Sequence, residues 1–95
     1  MKLLLDEARA ADVLRSAVPT LRKNLKRALR RLADDPSERN PQLDVKKLAT
    51  DREGPTMYRL RVGDWRVAYT IEPNNIVVLR IFHRSEGYGW LADLD

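Results

Sequence analysis

Five arginines in the C-terminal half of the chain have the type and spacing that phosphate chemistry requires. They are Arg59, Arg61, Arg66, Arg80 and Arg84. Arginine stays charged at physiological pH, and its planar guanidinium binds phosphate oxygens through two parallel hydrogen bonds. Such donors also stabilise the negative charge that develops in the transition state of a phosphoryl transfer. If these arginines share one surface, they predict a protein that holds a nucleic-acid backbone.

Apolar residues alternate with the arginines on both sides of Gly63-Asp64. The stretch MYRLRVGDWRVAYTIEP therefore predicts a β-hairpin, and a two-residue loop with glycine first is typical of a type II′ turn. Counting outward from this loop gives the pairs Val62–Trp65, Leu60–Val67 and Tyr58–Tyr69 on one side, and Arg61–Arg66 and Arg59–Ala68 on the other. Like charges directly opposed across two strands are destabilising. We expect a group outside the sheet to offset the repulsion between Arg61 and Arg66.

The segment IVVLRIF predicts a third strand after a turn at PNN. A three-residue loop, 73–75, gives the best match between apolar residues. Its pairs are Ile71–Val77, Tyr69–Leu79, Val67–Ile81, Ala68–Arg80 and Arg66–Phe82. We therefore expect an open face on which arginines surround Phe82, an arrangement that suits phosphates and stacked bases. A solvated face of unengaged arginines is the alternative.

The remaining elements must position this sheet. Helical spacing of apolar residues begins at Glu7 and again after Pro19, and the polar segment 34–44 forms a connector. Lys2–Leu5 is apolar enough to be an edge strand. Ninety-five residues suffice for one domain, 1–95. The sequence predicts an α+β fold, with an N-terminal helical hairpin packed on one face of a small antiparallel β-sheet.

The second predicted helix carries a basic stripe, since no acidic residue occurs between Asp12 and Asp34. Its members are Arg22, Lys23, Lys26, Arg27, Arg30 and Arg31. Such a stripe suits an RNA backbone, an acidic partner segment or simply solvent. The net charge of +4 and the isoelectric point near 9.8 indicate an anionic partner in the same way.

The composition argues against several kinds of site and segment. The chain has no cysteine and one histidine, so we expect no disulfide, no zinc site and no cofactor. The absence of cysteine is compatible with a reducing, cytoplasmic setting. No apolar run is long enough to cross a membrane, and the apolar segment of MKLLLDEA is too short for a signal peptide.

Two residues near the end of the predicted sheet have side chains that transfer protons. His83 shares the parity of the apolar side, where a structural role is the alternative to proton transfer. Tyr88 follows Arg84 by four residues and is placed to close over the arginines. The alternative for Tyr88 is an anchor for the C-terminal tail.

The segments KKLATDREGPTMYRLRVGDWRVAYTI and VVLRIFHRSEGY resemble the RelE/ParE toxin superfamily of bacterial and archaeal toxin–antitoxin systems. That family has a helical hairpin, a connector ending in KL, and an antiparallel sheet with YRxRxGxxR and a terminal HR…Y. The resemblance is specific from Lys47 to Tyr88 and only architectural before that. It implies a RelE/ParE-like fold, a cognate antitoxin as partner and a toxin–antitoxin hetero-oligomer.

RelE-type members of the superfamily are ribosome-dependent endoribonucleases that cut mRNA in the A site, and the resemblance implies this metal-independent activity here. A ribose 2′-hydroxyl attacks the adjacent phosphate. The positions that match the family's catalytic residues are Arg59, Arg61, Arg66, Arg84 and Tyr88. The further RNA contacts that we expect are Arg80, Phe82 and His83. Because arginine is a poor general base, proton transfer is assigned to Tyr88, His83 or the ribosome.

ParE-type members have the same fold but bind and poison DNA gyrase without cleaving RNA. The segment RIFHR occurs in this type as well. The combination of the catalytic arginines with Tyr88 favours the RelE type, because gyrase poisoning does not require it. An inactive member that binds only nucleic acid or its antitoxin is a third alternative.

Overall fold

The computed structural model describes residues 2–5, 8–48, 54, 56–87 and 89 of the chain. Its elements, in chain order, are β1 (Lys2–Leu5), α1 (Ala8–Ser16), α2 (Pro19–Asp34), β2 (Asp44–Lys47), β3 (Met57–Val62), β4 (Trp65–Ile71) and β5 (Asn75–His83), followed by a short 3₁₀ turn, Arg84–Glu86. The strands form one sheet in the order β1-β5-β4-β3-β2. All neighbours are antiparallel except β1, which pairs with β5 in parallel. The predicted α+β architecture is confirmed.

The helices cover one face of the sheet because their apolar residues recur at helical spacing. In α2 the buried residues are Leu25, Ala28, Leu29 and Leu32, and Pro19 starts the helix where no amide donor is needed. They pack with Ala10 of α1 against residues from β2 to β5 in one continuous core. Burying a leucine side chain in this way contributes about 1.5–3 kcal/mol. In the described part of the chain, no helix has the length and apolar character needed to cross a membrane.

The hairpin of β3 and β4 has the register that the sequence predicts. Gly63 has a φ of 60°, and no residue other than glycine in the described ranges has a positive φ. A positive φ followed by a negative one is the signature of a type II′ turn. Every predicted pair is present, including Arg61 opposite Arg66 and Arg59 opposite Ala68.

The register between β4 and β5 was predicted correctly only in part. Val67–Ile81, Ala68–Arg80 and Arg66–Phe82 are confirmed, whereas Tyr69 pairs with Val78 and Ile71 with Ile76. The turn is two residues long rather than three, because Glu72 and Asn75 exchange backbone hydrogen bonds around Pro73-Asn74. Leu79 is the extra residue that restores the phase, as a β-bulge opposite the step from Ala68 to Tyr69.

Strand β2 begins at the last residue of the predicted connector, 34–44, and was not predicted as a strand. Asp44–Lys47 pairs with β3 in antiparallel fashion, and only Val45 of its four residues is buried. The three exposed polar residues explain why the alternation was not recognised. The connector itself is held by Asn40, whose amide donates to the carbonyls of Arg31 and Asp35 at 3.3 and 2.8 Å.

Candidate functional site

The side of the sheet away from the helices carries two cross-strand rows of residues. One row runs Asp44, Arg61, Arg66, Phe82, and the other runs Lys46, Arg59, Ala68, Arg80. Since neighbouring strands lie about 4.8 Å apart, residues adjacent in a row are close neighbours. We call the group Arg59, Arg61, Arg66 and Arg84 the arginine face.

Asp44 joins the two arginines of β3. Its Oδ1 lies 3.4 Å from Nη1 of Arg59, and its Oδ2 lies 3.9 Å from Nη1 of Arg61. The Arg59 side chain is only 12% exposed, against 56% for Arg61. One carboxylate is therefore shared by two guanidiniums, and Arg61 is the more accessible of the pair.

Arg66 is held by backbone carbonyls at the hairpin turn. Its Nη1 donates to the Gly63 oxygen at 2.9 Å and to the Trp65 oxygen at 3.0 Å. Carbonyl oxygens orient a guanidinium without cancelling its charge. Among the described residues no carboxylate pairs with Arg66, so it presents a fixed and uncompensated positive charge.

Asp64 brings Arg84 to the same turn. The Arg84 amide donates to the Asp64 carbonyl at 2.8 Å, and Nε of Arg84 lies 3.5 Å from Oδ1 of Asp64. Both side chains are about two-thirds exposed, so the ion pair is weak and easily replaced. The Gly63-Asp64 turn thus gathers Arg66 and Arg84 at one end of the arginine face.

The repulsion between Arg61 and Arg66 is relieved inside the sheet, which corrects the expectation of an outside group. The Arg61 guanidinium turns toward Asp44 on β2, and the Arg66 guanidinium turns toward the carbonyls at the turn. Asp44 and Asp64 are therefore the site residues that sequence reasoning missed. Asp64 was noticed only as a turn residue, and its partner Arg84 is too distant in the sequence to give a local signal.

Phe82 does not lie exposed among the arginines, and that expectation is wrong. It is 1% exposed and belongs to a second apolar cluster with Met57, Ala68 and Leu79. Half-buried Leu48 and Val77 pack against this cluster. A base cannot stack on a ring buried in this way, and in the register Phe82 lies beside Arg66.

Arg80 lies beside Ala68, as predicted, on the β5 end of the row that begins at Lys46 on β2. It is half-buried and also lines an open cleft of about 290 Å³ with Asp12, Ser16 and Glu86. Two strand spacings separate it from Arg59, or roughly 10 Å. Arg80 is thus at the periphery of the arginine face.

His83 lies on the helical side of the sheet, opposite Trp65 in the register. The two rings meet edge to face, with centroids 5.4 Å apart. The Ser85 amide donates to Nδ1 of His83 at 3.2 Å, which caps the 3₁₀ turn. The Ser85 hydroxyl oxygen lies 2.8 Å from the same nitrogen, so Nδ1 is engaged by Ser85. This geometry matches the structural alternative for His83.

Tyr88 lies outside the described residues, so its predicted role stays a prediction. The tyrosine at the centre of the sheet, Tyr69, is fully buried and donates to the Pro36 carbonyl at 2.8 Å. Burial raises the pKa of the Tyr69 phenol above its ordinary value, and the nearby Tyr58, Glu38 and Asp35 raise it further. Tyr69 is therefore a neutral structural hydroxyl.

The basic stripe of α2 is divided by the structure into separate surfaces. Arg22 donates to the carbonyls of Arg15 and Ala17 at 2.9 and 3.1 Å, so it binds the C-terminal end of α1. Lys26 lines a cleft on that same side, next to Leu14. Arg27 and Arg31 line a different cleft, on the side of β2. The stripe is therefore not one continuous binding surface.

Comparisons with known proteins show the family and the fold. The family described as "ParE toxin of type II toxin-antitoxin system, parDE" matches residues 5–88. Among solved structures, the archaeal RelE–RelB complex from Pyrococcus horikoshii is similar, with a TM-score of 0.72 and 22% identity over 90% of this chain and 97% of that chain. The RelB–RelE antitoxin–toxin complex from Methanococcus jannaschii gives a TM-score of 0.67 and 22% identity over 92% of this chain and 96% of that chain.

A third similar structure is the YoeB dimer from Staphylococcus aureus, with a TM-score of 0.69 and 16% identity over 87% of this chain and 97% of that chain. A search of curated proteins gives no match. The fold is thus that of the RelE/ParE superfamily, and the predicted resemblance is confirmed. The chain belongs to the ParE toxin family of type II toxin–antitoxin systems, and it is a toxin of that class.

Proposed function

We propose that the chain is a ribosome-dependent endoribonuclease that cuts mRNA in the A site. The observation that carries this proposal is the pair Arg61 and Arg66, directly opposed on neighbouring strands, with Arg84 at the same turn. Arg66 and Arg84 at the turn, with Arg61 on the neighbouring strand, offer guanidiniums for the oxygens of a phosphodiester. A protein that needed only a folded sheet would gain nothing from opposing two like charges.

The reaction would be an attack of a ribose 2′-oxygen on the adjacent phosphorus. A bond forms between these atoms, the bond from phosphorus to the 5′-oxygen breaks, the 2′-hydroxyl gives up its proton to a base, and a proton is delivered to the leaving 5′-oxygen. Arg66 and Arg84 would neutralise the oxygens of the pentavalent transition state. Arg59 and Arg61 would hold the neighbouring backbone, where an RNA phosphate replaces Asp44 as their anionic partner.

The source of the base is part of the proposal. Arginine does not give up its proton, Tyr69 is buried and neutral, and His83 uses Nδ1 to cap a turn. We assign proton transfer to the ribosome or to Tyr88. Dependence on the ribosome follows naturally, because the arginine face supplies charge and position without a base of its own.

We further propose a cytoplasmic protein held inactive by a cognate antitoxin in a hetero-oligomer. The similar structures from Pyrococcus horikoshii and Methanococcus jannaschii are complexes of a RelE toxin with a RelB antitoxin. The net charge of +4 favours an acidic partner in the same way.

A second candidate is a ParE-type toxin that binds and poisons DNA gyrase. The observation that favours it is the family match, since the matching family is described by the name ParE. In this case the arginine face would hold an acidic protein surface or DNA, and no RNA bond would break.

One experiment separates the two candidates. The chain and its Arg66→Ala variant are induced, mRNA ends are mapped on translating ribosomes, and gyrase supercoiling is assayed in the same cells. Codon-phased cuts that disappear in Arg66→Ala support the endoribonuclease. Lys23→Ala, an exposed change on α2, is the control and should leave the cuts in place. Intact mRNA together with trapped gyrase cleavage complexes would overturn the proposal in favour of the second candidate.

A further inference from the structure

An open cleft lies where α2 meets the start of β2. It has a volume of about 210 Å³, and its polar wall includes Asn24, Arg27 and Arg31 from α2 and Asp44 and Arg61 from the sheet. Arg61 belongs both to this cleft and to the arginine face. The cleft therefore continues the arginine face around the edge of the sheet.

The two arginines from α2 are available to a ligand. Arg27 and Arg31 are exposed, and neither side chain forms an ion pair or a hydrogen bond with a residue of the described ranges. They stand one helical turn apart, where like charges destabilise a helix. Asp44 does not compensate them, because its two oxygens already face Arg59 and Arg61. An excess of positive charge remains that an external anion would neutralise.

The place of the cleft distinguishes this pair from the other cations of α2. Arg22 is engaged by carbonyls of α1, and Lys26 lines the cleft beside Leu14 on the α1 side. Arg27 and Arg31, by contrast, share their cleft with a member of the arginine face. The chain also offers a matched pair, Lys26 and Arg30, which are likewise exposed and one turn apart.

We propose that this cleft binds a backbone phosphate of the same RNA strand whose neighbouring phosphates lie on the arginine face, an inference that rests on the proposed function. Arg27 and Arg31 hold the phosphate oxygens, and Arg61 links this phosphate to the next one. Contacts to phosphates fix the position of an RNA strand on the protein but do not distinguish one base from another. The cleft positions the RNA, while the choice of codon is made elsewhere.

The test measures binding of a short RNA with 2′-O-methyl groups throughout, which cannot be cleaved by 2′-oxygen attack. Fluorescence anisotropy across a salt titration is recorded for the native chain, Arg27→Gln/Arg31→Gln, Lys26→Gln/Arg30→Gln and Arg66→Ala. The two double variants remove the same charge at the same spacing from the same helix. We expect Arg27→Gln/Arg31→Gln to weaken binding by about tenfold. The slope of log K against log salt should become shallower by about 0.7 for each phosphate that the variant no longer neutralises.

Three results would overturn the inference. The two double variants could show equally weakened binding, which means that the helix acts only through its total charge. Arg27→Gln/Arg31→Gln could bind RNA like the native chain yet fail to hold the antitoxin, which means that the cleft receives an acidic protein segment. The native chain could also fail to bind the RNA at the lowest salt.

The Arg66→Ala variant separates this inference from the proposed function. If Arg66→Ala weakens binding and Arg27→Gln/Arg31→Gln does not, only the cleft is refuted. If Arg66→Ala binds like the native chain, the arginine face itself is refuted as an RNA site. Thermal melts of both double variants should show no decrease in stability, because each removes a repulsion between like charges.

Discussion

The two faces of the sheet are made from the same strands, but they differ in the size of their buried apolar clusters and in charge. Among the described residues, the helical face joins twelve buried residues into one core, whereas the opposite face has a cluster of four buried residues beside its arginines. On the helical face apolar contact stabilises the fold. On the arginine face a smaller apolar cluster lies beside charged side chains, which are held by Asp44, Asp64 and backbone carbonyls.

The difference shows how the sheet can carry a positive charge, that of Arg66, with which no described carboxylate pairs. Strand pairing and the helical core hold β3 and β4 in place, so Arg61 and Arg66 stay paired in the register while their guanidiniums turn to different partners. On the arginine face, substitutions should therefore separate the buried residues, which act on stability, from the arginines, which act on function.

The largest effect is expected for Phe82→Ala, because Phe82 is the largest side chain of the apolar cluster beside the arginines. Removing a buried phenylalanine ring costs about 3–5 kcal/mol of the free energy of unfolding. Urea denaturation without RNA measures it, with Phe82→Leu as a milder control. A variant that unfolds like the native chain but binds RNA poorly would restore Phe82 as a stacking residue.

Arg66→Ala should come next, and its effect should fall on cleavage rather than on stability. Loss of one preorganised electrostatic donor reduces the rate by about 10²–10³. Arg59→Ala should cost less, because the Arg59 side chain is 12% exposed and already faces Asp44. Single-turnover cleavage of mRNA on ribosomes measures both rates. Equal reductions in the two variants would contradict the different roles given to these arginines.

Tyr69→Phe removes the hydrogen bond to Pro36 on the helical side of the sheet. We expect a decrease of about 1 kcal/mol in the free energy of unfolding near neutral pH. The native phenol has a raised pKa, so its contribution is complete below the unfolded value of about 10 and is lost as pH rises through the folded pKa. Urea denaturation over an alkaline pH series should therefore show a smaller alkaline loss for Tyr69→Phe than for the native chain. Identical pH profiles would contradict this assignment.

Asp44→Asn should have the smallest effect and the opposite sign. It frees Arg59 and Arg61 from their shared carboxylate, so RNA should bind more tightly. An exposed ion pair contributes roughly 0.2–1 kcal/mol, which corresponds to an increase in affinity of up to about fivefold. Fluorescence anisotropy with the 2′-O-methyl RNA measures the change. Asp34→Asn, an exposed change with the same charge at the end of α2, is the control. Weaker binding by Asp44→Asn would mean that Asp44 holds the arginines in their working positions.

Much of this site could be predicted from the sequence, because the β3–β4 turn is determined by local chemistry. Gly63 permits the positive φ, the loop length fixes the register, and the opposition of Arg61 and Arg66 follows by counting. The grouping of Arg59, Arg61 and Arg66 on one face needed no tertiary information.

The register of β5 could not be predicted in the same way. Val77, Val78 and Leu79 are all apolar, so each fits either face and the pattern does not reveal a bulge. The burial of Phe82 follows from that bulge and from Met57 and Leu79 beside it. Strand β2 was not predicted for a different reason: Asp44–Lys47 is short and mostly polar. Its partner strand, rather than its composition, makes it a strand.

The bulge at Leu79 acts as a phase switch within a single strand. Before it, Ile76 and Val78 point into the helical core, and after it the positions on the helical side are Ile81 and His83. If the strand alternated regularly through Leu79, even-numbered positions would continue toward the helices, and Arg80 and Phe82 would enter the core. Because Leu79 is the residue that the bulge adds, deleting it should make the pairing with β4 regular and leave Arg80 and Phe82 on their present side. The bulge is thus a place where β5 can lose one residue without exchanging its two faces.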